Sequence, residues 1–136
     1  MPDIEIAHLT DRLMRRIHLA LNAKASEFDI HSVGPAGGIL LLTLAENEPA
    51  RIQDLVSLMA RDKAQITRGI QALERKGLIA RAESPRDARV SLVSLTGEGH
   101  ATIVVLRQAI AAALDGILAP LSDEDRGVLK GILRQL

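Results

Sequence analysis

Apolar residues recur at helical spacing over most of the chain, and the places where that spacing fails mark its turns. Over residues 4–26, Ile6, Leu9, Leu13, Ile17 and Leu21 follow one another at steps of three or four, which predicts one long amphipathic helix. His31-Ser32-Val33-Gly34-Pro35 breaks it. A second helix is predicted over residues 36–46, with the apolar body Ile39 to Leu44, and Glu46-Asn47-Glu48-Pro49 reads as a loop. A short helix follows over Ile52–Met59, with Ile52, Leu55, Val56 and Met59 inward. Asp62 then has the character of an N-cap, with Gln65 at capping-box spacing. The helix it opens runs to about Lys76, buries Ile66, Ile70 and Leu73, and ends at Gly77, a residue suited to the position after a helix.

Two short β-prone runs come next, Leu78–Glu83 and Val90–Leu95, joined by the tip Ser84-Pro85-Arg86-Asp87-Ala88-Arg89. Thr96 can cap a long helix over about 97–118, carrying Ile103, Leu106, Ile110, Leu114, Ile117 and Leu118, which Pro120 ends. Ser122-Asp123-Glu124-Asp125 starts a last helix with Val128, Leu129, Ile132 and Leu133. The predicted class is mainly α with a small two- or three-stranded β-wing. It is a winged helix-turn-helix over residues 35–95, flanked by dimerisation helices at 1–34 and 96–136 in one compact unit. A basic hairpin tip beside a helix-turn-helix is a device for holding duplex DNA in two grooves. The terminal helices have little else to bury their apolar stripes, so a twofold homodimer is expected.

Composition narrows the picture. Phe28 is the only aromatic residue, so the core must be aliphatic. Cysteine is absent, which excludes disulfides, thiolate zinc sites and thiol redox switches. No N-terminal stretch joins basic residues to a long apolar run, so no secretory signal is expected. The longest apolar run, Ile39–Leu42 extended to Ala45, is too short to span a bilayer, and a soluble cytoplasmic protein with no membrane partner is expected. Net charge is zero, but residues 51–95 carry nine Lys/Arg and five Asp/Glu, a net +4, against −3 before them and −1 after. Positive charge is concentrated where the helix-turn-helix and hairpin lie, as phosphate contact requires.

The layout resembles the MarR family of bacterial winged-helix regulators over nearly the whole chain. The segment from Ile66 to Arg81 is similar to that family's recognition helix and its Leu-Glu-Lys/Arg-Lys-Gly-Leu-Ile ending. Asp87-Ala88-Arg89 resembles the family's Asp-x-Arg wing signature, and Leu95-Thr96-Gly97-Glu98-Gly99 its Leu-Thr-x-x-Gly. Two positions depart from the pattern: Ala88, where a basic residue is frequent, and Ala60-Arg61, where a glycine is common.

With Ile66, Ile70 and Leu73 inward at about 100° per residue, the opposite face of the recognition helix carries Ala64, Arg68, Gln71 and Arg75. Gln65 and Thr67 lie on its flanks and Lys63 in its first turn. Arg68 can bond guanine O6 and N7, Gln65 and Gln71 suit adenine, and Ala64 can offer only a methyl contact. Arg75 and Arg86 suit phosphates. The plain alternative is a solvated helix face and a type I turn at Pro85-Arg86. The resemblance implies that Arg89 enters the minor groove, where negative potential is concentrated, and that Asp87 fixes it through a forked hydrogen bond.

The resemblance also implies a small effector, often an anionic aromatic compound in this family, for which Arg15, Arg16 and His18 are the candidate polar groups. No metal site is expected: His8, His18, His31 and His100 lack ligand spacing, His8 and His18 being about 15 Å apart along one helix. No cofactor and no catalytic constellation are expected, since Gly34-Pro35-Ala36-Gly37-Gly38 lacks the ending of a phosphate loop. The leading expectation is a homodimeric, ligand-responsive repressor that binds a pseudo-palindromic operator in double-stranded DNA. A winged-helix dimer that binds a protein partner without DNA is the other reading that Ala64 and Ala88 leave open.

Overall fold

The computed structural model describes residues 2–136, with only the backbone described for Pro2. In chain order it forms α1 (Pro2–Ala23), α2 (Ala25–Phe28), α3 (Gly34–Asn47), α4 (Ile52–Met59), α5 (Lys63–Arg75), β1 (Ile79–Glu83), β2 (Ser91–Leu95), α6 (Gly97–Ile117) and α7 (Asp123–Gln135). The chain divides into two units: Ala25–Arg107, and the residues up to Lys24 together with Gln108–Leu136.

The first unit holds the core. Among the described residues the buried apolar side chains all lie between Leu40 and Ile103, with Leu41, Leu44, Leu55, Ile70, Leu73, Leu78 and Val93 fully enclosed. Helical spacing accounts for it, since α3, α4 and α5 each turn one stripe toward the same interior. Ile52, Val56 and Met59 are partly buried against that core around fully buried Leu55. α3 opens where the Asp29 carboxylate accepts the backbone N–H groups of Val33 (2.9 Å) and Gly34 (3.0 Å). It ends at Asn47, one residue past the predicted end at 46 and inside the predicted loop, where the Asn47 amide donates back to the Thr43 carbonyl (2.7 Å). α4 begins at an Arg51–Asp54 pair instead of a hydroxyl cap: the Asp54 carboxylate accepts the Arg51 backbone N–H (3.1 Å) and its guanidinium (3.0 and 3.3 Å).

The two ends of α5 follow from their capping residues. Asp62 Oδ1 accepts the Gln65 N–H at 2.9 Å. At the other end Gly77 takes φ +77°. The Gly77 N–H donates to the Glu74 carbonyl (2.9 Å) and the Leu78 N–H to the Leu73 carbonyl (3.0 Å), which is a Schellman closure. The turn before α5 puts Ala60 at φ +50°, left-handed space where a glycine would be unstrained.

β1 and β2 pair antiparallel in the register Ile79↔Leu95, Arg81↔Val93 and Glu83↔Ser91. A single further bridge, Ala50↔Val93, supplies the minimal third strand. At the base of the hairpin the Thr96 hydroxyl donates to the Gly77 carbonyl (2.6 Å) and accepts the Gly99 N–H (3.0 Å), capping α6 as its sequence predicts.

The second unit is different in kind. The predicted helix over 4–26 ends at Ala23, and none of the unit's described residues is buried. Ile4, Ile6, Leu9, Met14, Leu19, Val128, Ile132 and Leu133 are all exposed. Its polar closure is Arg126, which pairs with Asp115 (3.3 Å) and donates to the Leu118 carbonyl (3.0 Å), joining α7 to the end of α6. α6 itself, on length and composition, is apolar enough to cross a bilayer. No single apolar run marks it, because Arg107 and Gln108 divide Ile103–Leu106 from Ala109–Leu114 within one continuous helix. A helix that packs against another protein surface has the same composition.

Candidate nucleic-acid interface

The basic surface of residues 25–107 is built on α5 and the hairpin. Because Ile66, Ile70 and Leu73 face the core, Lys63, Ala64, Gln65, Arg68, Gln71 and Arg75 are exposed, and Thr67 is half-buried at the edge of that face. The anchored end matters for the rest: Asp62 fixes the first turn, where Lys63, Ala64 and Gln65 stand, and Arg68 follows one turn on. Gly69 lets the helix lie close to α3, since a Cβ there would come within 2.8 Å of the Leu40 side chain.

The pairing of charges separates the cations into two groups. Arg51 is held by Asp54, Arg81 by Glu74 (2.7 Å) and Arg89 by Asp87 (3.1 Å). Arg61, Lys63, Arg68, Arg75 and Arg86 have no carboxylate partner among the described residues. Unpaired, exposed guanidinium and ammonium groups keep their hydrogen-bond donors free for phosphate or base edges.

The wing tip is ordered by its own side chains. The hydrogen-bonded turn closes from the Val90 N–H to the Asp87 carbonyl (3.0 Å), so its central residues are Ala88 and Arg89, three positions beyond Pro85-Arg86. The Ser84 hydroxyl accepts the Arg86 N–H at 3.3 Å. Asp87 grips Arg89 three ways: its Oδ1 accepts the Arg89 backbone N–H (3.0 Å) and Nε–H (3.1 Å), and its Oδ2 accepts Nη2–H (3.3 Å). These bonds, the side-chain ones foremost, hold the Asp87 carboxyl below the ordinary aspartate pKa. Asp54 is lowered in the same way by Arg51. Arg89 nonetheless presents 91% of its side chain to solvent. It is oriented from below and open above.

Other positions singled out by sequence lie elsewhere. Arg15, Arg16 and His18 are on α1, in the other unit; Arg15 is bound to Asp11 (2.7 Å), Arg16 is exposed and His18 is half-buried. Among the described residues no group of three or more His, Cys, Asp or Glu side chains could hold a metal ion. Sequence reasoning missed three features. Arg61 is an exposed cation in the turn before α5, and Glu74–Arg81 bridges helix to strand. Glu48 accepts the Leu95 N–H (3.0 Å) and faces His100 (3.5 Å). The last two join residues on different elements, for which periodicity has no signal.

A helix-turn-helix with an exposed basic second helix, followed by a hairpin with an arginine at its tip, defines a winged helix-turn-helix protein. Residues 39–91 match the model of the MarR family. A transcriptional regulatory protein assigned to the hcr operon of Thauera aromatica is 33% identical over 97 residues, which are 71% of this chain and 58% of that protein. The chain therefore spans less than two thirds of that relative's length. Among solved structures, the PcaV transcriptional regulator of Streptomyces coelicolor in complex with its natural ligand is similar over 95% of this chain and 89% of its own, with TM-score 0.73 and 26% identity. A mutant MarR of E. coli complexed with operator DNA has TM-score 0.79 over 98% of this chain and 94% of its own. At 22% identity that last likeness concerns the fold. The chain belongs to the MarR family.

Proposed function

We propose that this protein is a homodimeric transcriptional regulator that binds a pseudo-palindromic operator and represses until a small effector releases it. The observation that carries the DNA-binding reading is the unpaired set Arg61, Lys63, Arg68, Arg75 and Arg86, gathered on α5, the turn before it and the hairpin tip. In this reading the first turns of α5 enter the major groove. Arg68 reads guanine, Gln65 and Gln71 read adenine, and Ala64 and Thr67 offer apolar or hydroxyl contacts to neighbouring bases. Lys63, Arg75 and Arg86 hold phosphates. Arg89, preset by Asp87, enters the flanking minor groove.

Dimerisation is supported by the terminal helices, whose apolar side chains find no enclosure within one chain. A second copy is the economical cover, and it provides the twofold symmetry that an inverted repeat needs. An effector would act by altering the spacing of the two recognition helices. Arg15, Arg16 and His18 are the groups proposed to meet it, and an anionic aromatic compound fits their charge. The PcaV complex is a precedent for ligand binding in a related regulator. A regulator of this kind works in the cytoplasm, where the chromosome is.

The test is fluorescence anisotropy with a labelled operator, or with the DNA flanking the protein's own gene, over a range of salt. Phosphate-driven binding weakens steeply with salt, with a log–log slope of about −0.9 per phosphate neutralised. A fold intact by circular dichroism that binds no duplex at low salt would instead favour a protein partner.

A further inference from the structure

Nothing in the operator-binding reading says what aims the wing. The hairpin is tied to the rest of its unit only near its base. On the β2 side the Ala50 and Val93 backbones exchange two hydrogen bonds, at 3.0 and 2.8 Å. On the β1 side Arg81 Nε donates to Glu74 Oε1 on the last turn of α5, at 2.7 Å. Arg81 and Val93 are partners in the ladder, so both ties act on one rung, from opposite edges. Beyond that rung no hydrogen bond or ion pair among the described residues joins residues 82–92 to anything outside the hairpin. Ala80 to Glu83 are exposed, so packing does not hold that edge either.

We propose that Glu74 and Arg81 are positioning residues that brace the wing against the recognition helix, so that Arg89 and α5 meet their two grooves in fixed relation. The proposal rests on the DNA-binding reading for its purpose, but the brace itself is a property of the free protein. Its lever is long. Arg89 lies four residues from Val93, so at about 3.3 Å each it stands up to about 13 Å beyond the braced rung, and a pivot of roughly 10° carries it about 2 Å. That is about the H···O separation of a hydrogen bond, enough to cost Arg89 its contacts in a narrow groove. Glu74 and Arg81 retain about a third of their exposure, 31% and 32%, so the pair is partly withdrawn from water and less screened than a surface pair.

Electrostatics alone predicts the opposite outcome for one variant. Glu74→Gln removes a negative charge from the DNA-facing unit and frees Arg81, and counterion release would then strengthen binding. If the brace matters, Glu74→Gln weakens operator binding by about three- to tenfold. It should add little in an Arg89→Ala background, because the wing then has no grip left to misplace. The reversed pair, Glu74→Arg with Arg81→Glu, should restore most of the loss. A second measurement needs no DNA. The chain has no cysteine, so Ala88→Cys provides a unique site for a nitroxide at the wing tip. Its electron paramagnetic resonance spectrum should show a more mobile tip in Glu74→Gln and a return toward the parent in the reversed pair. Unchanged mobility together with unchanged or tighter binding would overturn the brace. A looser tip in a protein that binds no duplex would uphold the brace and overturn the DNA-binding reading instead.

Discussion

Gly99→Ala should be among the most damaging single-methyl additions in this chain. A Cβ on Gly99 would stand 2.2 Å from the Leu78 carbonyl oxygen and 3.2 Å from its carbon. The neighbour is backbone immediately before β1, so no side-chain rotation relieves the clash. Restoring an ordinary carbon–oxygen separation of roughly 3.3 Å means moving α6 and β1 apart by about 1 Å. That movement strains the Thr96 N–H bond to the Leu78 carbonyl (3.0 Å) and the Thr96 hydroxyl bond to the Gly77 carbonyl (2.6 Å). Overpacking costs about 1–3 kcal/mol. Each weakened hydrogen bond adds up to about 1 kcal/mol. The better helix propensity of alanine returns up to about 1 kcal/mol. The net loss is about 2–4 kcal/mol, a fall in Tm of roughly 6–15 °C for a chain of this size. The assay is thermal or urea unfolding followed by circular dichroism at one fixed protein concentration, since any association makes apparent stability concentration-dependent. Gly97→Ala is the control: a Cβ there meets nothing within 4 Å, so stability should hold or rise slightly. A Gly99→Ala protein as stable as the Gly97→Ala protein would refute the close approach and with it this account of why glycine ends the Leu95–Gly99 motif.

Five further outcomes are expected. Arg68→Ala should weaken operator binding by about 1–3 kcal/mol and relax preference at one base pair per half-site in a selection assay; an equal loss on all sequences would make Arg68 a phosphate contact. Arg89→Ala and Asp87→Ala should each weaken binding, the second more mildly, and their losses should be strongly non-additive in a double-mutant cycle. Because Arg89 lowers the Asp87 pKa, the fork should be fully formed above the ordinary aspartate range and lost only as pH falls through the lowered value; carboxyl-carbon NMR should show the Asp87 pKa returning upward in Arg89→Ala. Sedimentation should find about twice the 14.7 kDa chain mass at micromolar protein. Ala60→Gly should add up to about 1 kcal/mol of stability by relieving the left-handed backbone at φ +50°.

Much of the fold was legible because local physics dictates it. A helix that must bury one stripe declares its inward face, so Ile66, Ile70 and Leu73 identified the buried side of α5 and, by subtraction, the exposed Arg68, Gln71 and Arg75. Caps and turns are likewise local: Asp62, Gly77, Thr96 and Ser122 each perform the role that their chemistry suggests. The fork between Asp87 and Arg89 was within reach because only Ala88 separates the partners. Where local signals competed, the reading slipped. Glu46 and Asn47 looked like loop beside Pro49, yet helical hydrogen bonding carried α3 through them.

What only the tertiary structure decided are relations between residues distant in sequence. Nothing in the pattern 48–50 tells that Ala50 will pair with Val93 or that Glu48 will satisfy the Leu95 N–H. Nor does periodicity show that Glu74 will reach across the Gly77 turn to Arg81, leaving Arg75 beside it free. Ion pairing depends on where two elements cross, and it decides which of nine cations between residues 51 and 95 remain available to a partner. The sequence determined the elements, their faces and the basic character of this region, because each depends on neighbours within a turn or two. Packing determined which charges cancel and where the hairpin is anchored, because those depend on the crossing of α5, β1 and the Ala50 segment in space.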